Sequence, residues 1–301
     1  VKAPAFDYAK PRTLAELFDL MDMHGDEAKL LAGGQTLMAT LNMRLSQPGI
    51  LIDITGLAAE PASSGAVTGA ALSGIRAEGG KVSIGALVRH REIEKSSVIA
   101  QQLPLLAQAV PHVAHIAIRN AGTFGGSIAF ADPAAEYPTC AVALNADIVL
   151  VSRQGERKVP ARQFFKALYE TDMRPGELVA RGEFPAQKPG YRSVFMELAR
   201  RHGDYAIVGV AAHAKVEGGK LSDVSLAYLG MGSIPMLATK AMAALEGKAY
   251  APDVVAAAQN ALAAELEPNA DLYSSAATKL HLARVLTGRA LAALATPAQG
   301  A

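Results

Sequence analysis

Two glycine-bearing segments of this sequence could hold a phosphate. In Ala32-Gly33-Gly34-Gln35-Thr36, two glycines lie between a short apolar run and a helical pattern. Without Cβ atoms the backbone can turn sharply there, and several N–H groups converge at the start of the following helix, as in a diphosphate cradle. The same pair also suits an ordinary tight turn. The second segment, Arg119-Asn120-Ala121-Gly122-Thr123-Phe124-Gly125-Gly126-Ser127, has three glycines within five residues and flanking hydroxyls that could complete an anion nest. Neither has the spacing of a Walker A loop or of the Gly-x-Gly-x-x-Gly dinucleotide fingerprint, which argues against a P-loop NTPase and a standard Rossmann domain. Two such loops on different lobes could clasp one pyrophosphate from both sides. That geometry suits an extended dinucleotide such as FAD.

Other chemistry has less support. His112 and His115 would lie one turn apart on a helix, but no third ligand is near in sequence, so no metal is expected. The single cysteine, Cys140, can neither close an internal disulfide nor hold an iron–sulfur cluster alone. Its apolar neighbours, Thr139 to Leu144, read as a buried segment rather than a nucleophile site. No Gly-x-Ser-x-Gly elbow is present, which leaves a hydrolase unsupported. A net charge of +1 with 19% charged residues gives no field favouring nucleic acid or an anionic membrane. With 5% aromatics and no Trp there is no stacking platform for single strands. No apolar run reaches the roughly 18 residues of a membrane span, and the first residues lack a signal-peptide pattern, so the expected compartment is the cytoplasm.

The elements that must position these loops follow from periodicity. Thr13, with Glu16 three residues on, caps a predicted helix to about His24 carrying Leu14, Leu17, Phe18 and Met21 on one face. Lys29 to Ala32 reads as a strand entering Gly33-Gly34, Leu37 to Leu45 as a helix, and Ile50 to Ile54 as a strand closing a first lobe, residues 1–55. A second lobe, 56–175, opens on a small-residue stretch from Gly56 to Gly80 that reads as loop or short edge strands. It continues with strands at Lys81 to Leu87 and Asp147 to Ser152 and a helix at Pro104 to Val110. In the third, 176–301, strands at Leu178 to Phe184, Tyr191 to Glu197, Ala206 to Val216 and Leu221 to Leu229 form a predicted meander. Helices near Ala238 to Leu245, Pro252 to Leu266 and Ser275 to Leu294 then cover it.

Three ordered motifs carry a family resemblance over nearly the whole chain. They are Leu31-Ala-Gly-Gly-Gln-Thr36 followed by Met43-Arg44-Leu45, Ile118-Arg-Asn-Ala-Gly-Thr-Phe-Gly-Gly-Ser-Ile128 leading to Asp132-Pro133, and Arg200-Arg-His-Gly-Asp-Tyr-Ala206. With them the chain resembles the FAD-binding medium subunit of molybdenum hydroxylases, a family that includes the carbon monoxide dehydrogenase medium subunit and the xanthine dehydrogenase FAD domain. The resemblance implies an α+β fold: a two-lobed FAD-binding region of the vanillyl-alcohol oxidase-like (PCMH) type, then an antiparallel sheet with helices.

The resemblance also implies roles. Ala32, Gly33, Gly34, Gln35 and Thr36 would bind the FAD diphosphate, and Thr123, Gly125, Gly126 and Ser127 would touch phosphate and ribityl oxygens. Asp132 and Glu136 would accept ribityl or ribose hydroxyls, although Asp132 before Pro133 also suits a turn. Tyr205 would cover one flavin face, or pack at a boundary with its hydroxyl in water. Leu178 would supply an apolar flavin contact, or be strand core. Many relatives look to carry Lys where this chain has Glu197, whose expected role is a salt bridge or solvent contact.

The implied function is electron relay. Electrons leave a substrate at a molybdenum centre on a large partner, pass [2Fe-2S] clusters on a small partner, reduce FAD here and reach an external acceptor. The molybdopterin-type cofactor and the clusters would sit on those partners, and no catalytic residue is assigned in this chain. A stand-alone flavin oxidoreductase and a non-catalytic nucleotide-binding scaffold subunit are the alternatives.

Overall fold

The structure, a computed structural model, describes residues 2–60 and 68–296. The first lobe holds β1 (Asp7–Ala9), α1 (Leu14–His24), β2 (Ala28–Leu31), α2 (Leu37–Asn42) and β3 (Ile50–Asp53), its strands forming a parallel sheet in the order β1-β3-β2. The Thr13 hydroxyl caps α1, accepting from the Glu16 N–H at 3.2 Å, and the Glu16 carboxylate accepts from the Arg12 N–H at 2.7 Å. Helix α2 stops earlier than its apolar spacing predicts, because the chain turns left-handed at Arg44 (φ 58°).

The second lobe adds β4 (Ile75–Glu78), β5 (Lys81–Gly85), α3 (His90–Lys95), α4 (Ser97–Gln102), α5 (Pro104–Ala109), α6 (Ile116–Arg119), α7 (Phe124–Phe130), α8 (Glu136–Ala143), β6 (Asp147–Ser152), β7 (Gly155–Pro160), α9 (Ala161–Phe164), β8 (Phe165–Ala167), β9 (Glu170–Thr171) and β10 (Leu178–Pro185). The predicted loop between Gly56 and Gly80 contains 3-10 turns at Ile54–Ala59 and Gly69–Leu72 and the edge strand β4; its residues 61–67 lie outside the described ones. Five strands form an antiparallel sheet in the order β4-β5-β10-β6-β7. Here one expectation is corrected: Leu178–Phe184 does not open the C-terminal meander but fills the centre of this sheet. The reason lies in its two apolar faces. Leu178 and Ala180 pack with Val149 and Val151 against the first lobe, while Val179 and Phe184 join Ile148 and Leu150 under the helices. Each large apolar side chain contributes about 1.5–3 kcal/mol on full burial, and the slot between β5 and β6 buries both faces of this strand.

The third lobe comprises β11 (Tyr191–Ala199), β12 (Ala206–Glu217), β13 (Lys220–Leu229), β14 (Met236–Leu237), α10 (Thr239–Leu245), α11 (Pro252–Ala261) and α12 (Ala276–Ala295). Its antiparallel sheet, β11-β12-β13-β14, turns Val208, Val210, Ala212 and Ala214 toward α10 to α12. Phe195, Ala211, Ala227 and Leu229 on the other face pack with the second lobe. The Gly230 N–H also donates to the Pro133 carbonyl at 2.9 Å, tying this sheet to the turn after α7.

Candidate functional site

The first glycine loop leaves β2 and runs against the second. A Cβ on Gly33 would lie 2.7 Å from the Gly122 Cα and inside contact distance of the Ala121 carbonyl, so only glycine lets the two backbones touch. Gly34 has φ +71°, a conformation that side chains with a Cβ adopt at a cost. The Gln35 amide donates to the Gly33 carbonyl at 3.0 Å, and the Gly34 and Thr36 carbonyls accept the first helical bonds of α2. The N–H groups of Gly33, Gly34, Gln35 and Thr36 have no acceptor among the described residues. Free amides grouped in this way could receive an anion.

The second loop is wired differently. The Phe124 N–H donates to the Val88 carbonyl at 2.9 Å and the Gly125 N–H to the Ala86 carbonyl at 2.8 Å. A Cβ on Gly125 would stand 2.8 Å from the Ala86 Cα, so this glycine permits close packing rather than offering an amide. The Thr123 hydroxyl caps α7 by accepting from the Gly126 N–H at 3.2 Å. Gly126 is exposed and Ser127 half-buried, which leaves hydroxyls and one outward-facing glycine on this side. The loop is braced from behind. His90 donates its N–H to the Gly122 carbonyl at 3.0 Å, and the Arg119 guanidinium binds the Ala114 carbonyl at 2.7 Å and Glu94 at 3.1 Å.

An acidic, aromatic patch follows α7. Asp132 accepts from the Ala134 N–H at 2.8 Å, an Asx turn, and burial pushes its carboxyl up. Glu136, at the start of α8, is buried; burial, then the charges of Glu197 and Asp132, pushes it up to about 8. Tyr205 stands 73% exposed between β11 and β12. Its phenol is raised by partial burial, then by the charges of Asp132 and Glu136. Tyr169, in the β8–β9 turn at φ 59°, lies with its ring 4.9 Å from Phe130, and burial, Asp132 and Tyr205 raise its phenol. Sequence reasoning missed Tyr169, an aromatic in a hairpin turn, and Phe130, the last residue of α7.

Other candidates lie apart from this group. Leu178 is 2% exposed and packed in the core with Ala180. Glu197 forms no ion pair among the described residues, which overturns the salt-bridge expectation; the residue is half-buried, its Oε2 is sealed without a hydrogen-bond partner, and burial pushes it up to about 7. His112 and His115 do not share a helix face, because the 3-10 turn Val110–His112 gives way to a left-handed Ala114 (φ 46°). Instead His112 stacks at 6.0 Å from His202, and His115 packs against Gly203 of the Arg200–Ala206 motif. Cys140 is fully buried, and burial, then Glu136 and Glu197, hold its thiol well above the usual range, as an inert side chain.

A loop of unbonded amides, closed against a second backbone too tightly for any side chain and faced by hydroxyls, fits the diphosphate of a dinucleotide. Residues 4–187 match the family described as the FAD binding domain in molybdopterin dehydrogenase. The chain belongs to this family. Residues 193–294 match the CO dehydrogenase flavoprotein C-terminal domain. The alpha subunit of the 6-hydroxypseudooxynicotine dehydrogenase complex of Paenarthrobacter nicotinovorans is 36% identical, over 97% of this chain and 95% of that one. Carbon monoxide dehydrogenase from Hydrogenophaga pseudoflava, solved without the Mo-pyranopterin moiety of its molybdenum cofactor, superposes with a TM-score of 0.91 at 35% identity, covering 98% of each chain. Quinoline 2-oxidoreductase from Pseudomonas putida 86 gives 0.89 at 34% identity, again over 98% of each. This chain is thus an FAD-binding oxidoreductase component of the molybdopterin dehydrogenase type, with the expected α+β fold. No helix among the described residues is long and apolar enough to cross a membrane.

Proposed function

We propose that this chain is the medium subunit of a cytoplasmic, heteromeric molybdenum hydroxylase, assembled with a large molybdenum-binding subunit and a small subunit carrying [2Fe-2S] clusters. The observation that carries the reading is the set of unbonded N–H groups from Gly33 to Thr36, held open by the Gly33–Gly122 backbone contact. When bound, FAD supplies a two-electron store between the clusters and an external acceptor. The loop from Ala32 to Thr36 would hold the diphosphate through its amides. Thr123 and Ser127 would complete it from the other lobe with hydroxyls, Gly126 would leave the approach free of a side chain, and Gly125 would act by letting α7 approach Ala86. The second Asp132 oxygen and Glu136 would accept hydroxyls of the cofactor, and Tyr205 would shield the ring system from water.

Purification with cofactor release tests this. The chain is expected to be yellow, to release FAD on denaturation, and to copurify with two larger-complex partners when coexpressed. A colourless chain that takes up no FAD with or without partners overturns the reading. Photoreduction of the bound chromophore distinguishes a flavoprotein from a nucleotide-binding scaffold. Substrate turnover by the isolated chain would instead support a self-contained flavin oxidoreductase.

A further inference from the structure

A second cleft lies between the second and third lobes, away from the glycine loops. Its volume is about 340 Å³, near the lower end of small-molecule sites, which start at about 300 Å³. Ser193 lines it, and the rest of β11 to Ala199, roughly 20 Å of strand, separates it from the Arg200–Ala206 motif.

The third-lobe wall of this cleft is a polar row. Ser193 on β11 pairs with His213 on β12, and His213 with Ser225 on β13, so all three stand on the face that Phe195 and Ala211 turn toward the second lobe. The Ser193 hydroxyl donates to the Gln187 Oε1 at 2.7 Å and lies 2.9 Å from the His213 Nδ1. A hydroxyl has one proton, so with that proton on Gln187 the imidazole donates from Nδ1 and its Nε2 is a bare acceptor. Burial, against the charge of Asp223, holds the ring toward its neutral form. No hydrogen bond reaches that Nε2 among the described residues, and the neighbouring Ser225 hydroxyl is buried without a partner. Polar groups left so in a packed seam call for something to complete them.

The row is also held at a backbone cost. Between the pairs His213–Ser225 and Lys215–Ser222, β13 has one residue more than β12, and this bulge holds Asp223 left-handed at φ 48°. There Asp223 accepts from the Tyr191 hydroxyl at 2.6 Å, and the Tyr191 ring stacks on His213 at 5.0 Å. The Glu246 carboxylate braces the bulge by accepting from the Asp223 and Val224 N–H groups at 3.0 and 3.3 Å. Both acids on this side are thus engaged by donors of the protein.

The second-lobe side brings cations and apolar surface. Arg162, in α9, donates its Nε to the Val142 carbonyl at 3.2 Å, which leaves both Nη groups without a partner among the described residues. Lys188, on the connection from β10 to β11, forms no ion pair among the described residues. Pro104, Leu105, Leu144 and Met242 supply apolar lining. A planar guanidinium with free Nη groups matches a carboxylate, and a bare imidazole nitrogen takes a hydroxyl donor. We propose that this cleft binds a small hydroxylated carboxylate, its carboxylate on Arg162 with Lys188 adding charge, its hydroxyl donating to the His213 Nε2, and its carbon body against the apolar lining. The site is independent of the FAD reading.

Calorimetric titration of the full chain tests this with para-hydroxyphenylacetate as probe. One saturable site is expected, with phenylacetate, which lacks the hydroxyl, and para-cresol, which lacks the carboxylate, each about tenfold weaker. Arg162→Gln should erase the advantage over para-cresol and keep that over phenylacetate, and His213→Phe should do the reverse. No saturation up to about 10 mM, or equal affinity for the three probes, overturns the proposal. An unchanged series in Arg162→Gln also overturns it, as does a uniform loss across the three probes in either variant, which marks a structural role. Displacement of the probe by added FAD would put it in the dinucleotide cleft and overturn the separate site. Arg162 is exposed, so should His213→Phe not fold, the probe series in the native and Arg162→Gln chains decides alone.

Discussion

The two glycine loops look alike in sequence and serve opposite structural needs. In the first, glycine at 33 lets one backbone lie against another, and the loop keeps its own amides unbonded. In the second, Gly125 has its amide tied to Ala86 and matters because α7 must sit on the turn from Ala86 to Val88 that follows β5. Glycine density therefore marks two things at once, a donor set and a close approach. Only the hydrogen-bond pattern separates them.

The contrast is sharpest in paired substitutions. Gly33→Ala drives a Cβ into the Ala121–Gly122 backbone, and should weaken FAD binding about 100-fold or more, equivalent to roughly 2.7 kcal/mol. Equilibrium dialysis or the FAD-to-protein absorbance ratio measures this. Gly125→Ala meets Ala86 instead, and should act first on the fold, at about 1–3 kcal/mol of overpacking. Thermal melting should show a drop of several degrees. If Gly125→Ala loses FAD at unchanged melting temperature while Gly33→Ala binds normally, the division between the loops is wrong.

The turn beyond the second loop gives a pH test with a definite sign. Glu136 and Glu197 have folded-state values near 8 and 7, above the ordinary glutamate value of 4.5. Stability from such groups is fully present below about pH 4.5 and is lost as pH rises through 7 and 8. Glu197→Gln should therefore melt higher than the native chain at pH 8, by roughly 1–3 kcal/mol, and no higher at pH 4.5. Denaturant melts across that range check it; a variant less stable at pH 8 than the native chain would count against it.

Smaller effects separate conformation from capping. Gly34→Ala strains a left-handed residue by about 1–2 kcal/mol, so FAD affinity should fall about tenfold. Thr123→Ala removes the α7 cap at about 1 kcal/mol, and Thr123→Ser should restore most of that stability.

How much of this was legible depended on whether the cause was local. The Thr13 cap, the first glycine loop and strand Asp147–Ser152 were readable because a cap, a turn and a two-sided apolar run each announce themselves within a few residues. Leu178–Pro185 read correctly as a strand but was given the wrong neighbours, because partner choice depends on β5 and β6, up to about a hundred residues earlier. Glu197 misled for a related reason. A carboxylate suggests an ion pair, and only the fold shows that β11 turns this half-buried residue toward the seam with no cation against it. Tyr169 joins the site across a hairpin turn whose sequence does not reveal what it faces.

The place of β10 also has a meaning in time. It is the last strand of its sheet to be synthesised and the one at its centre, between β5 and β6. Until residue 185 has emerged, β5 and β6 lack the neighbour that joins them, and the apolar surfaces meant for both of its faces stay uncovered. The base on which α7 and the first lobe rest is therefore closed by a segment nearly two-thirds of the way along the chain. A truncation before β10 should yield an aggregation-prone fragment rather than a smaller flavoprotein.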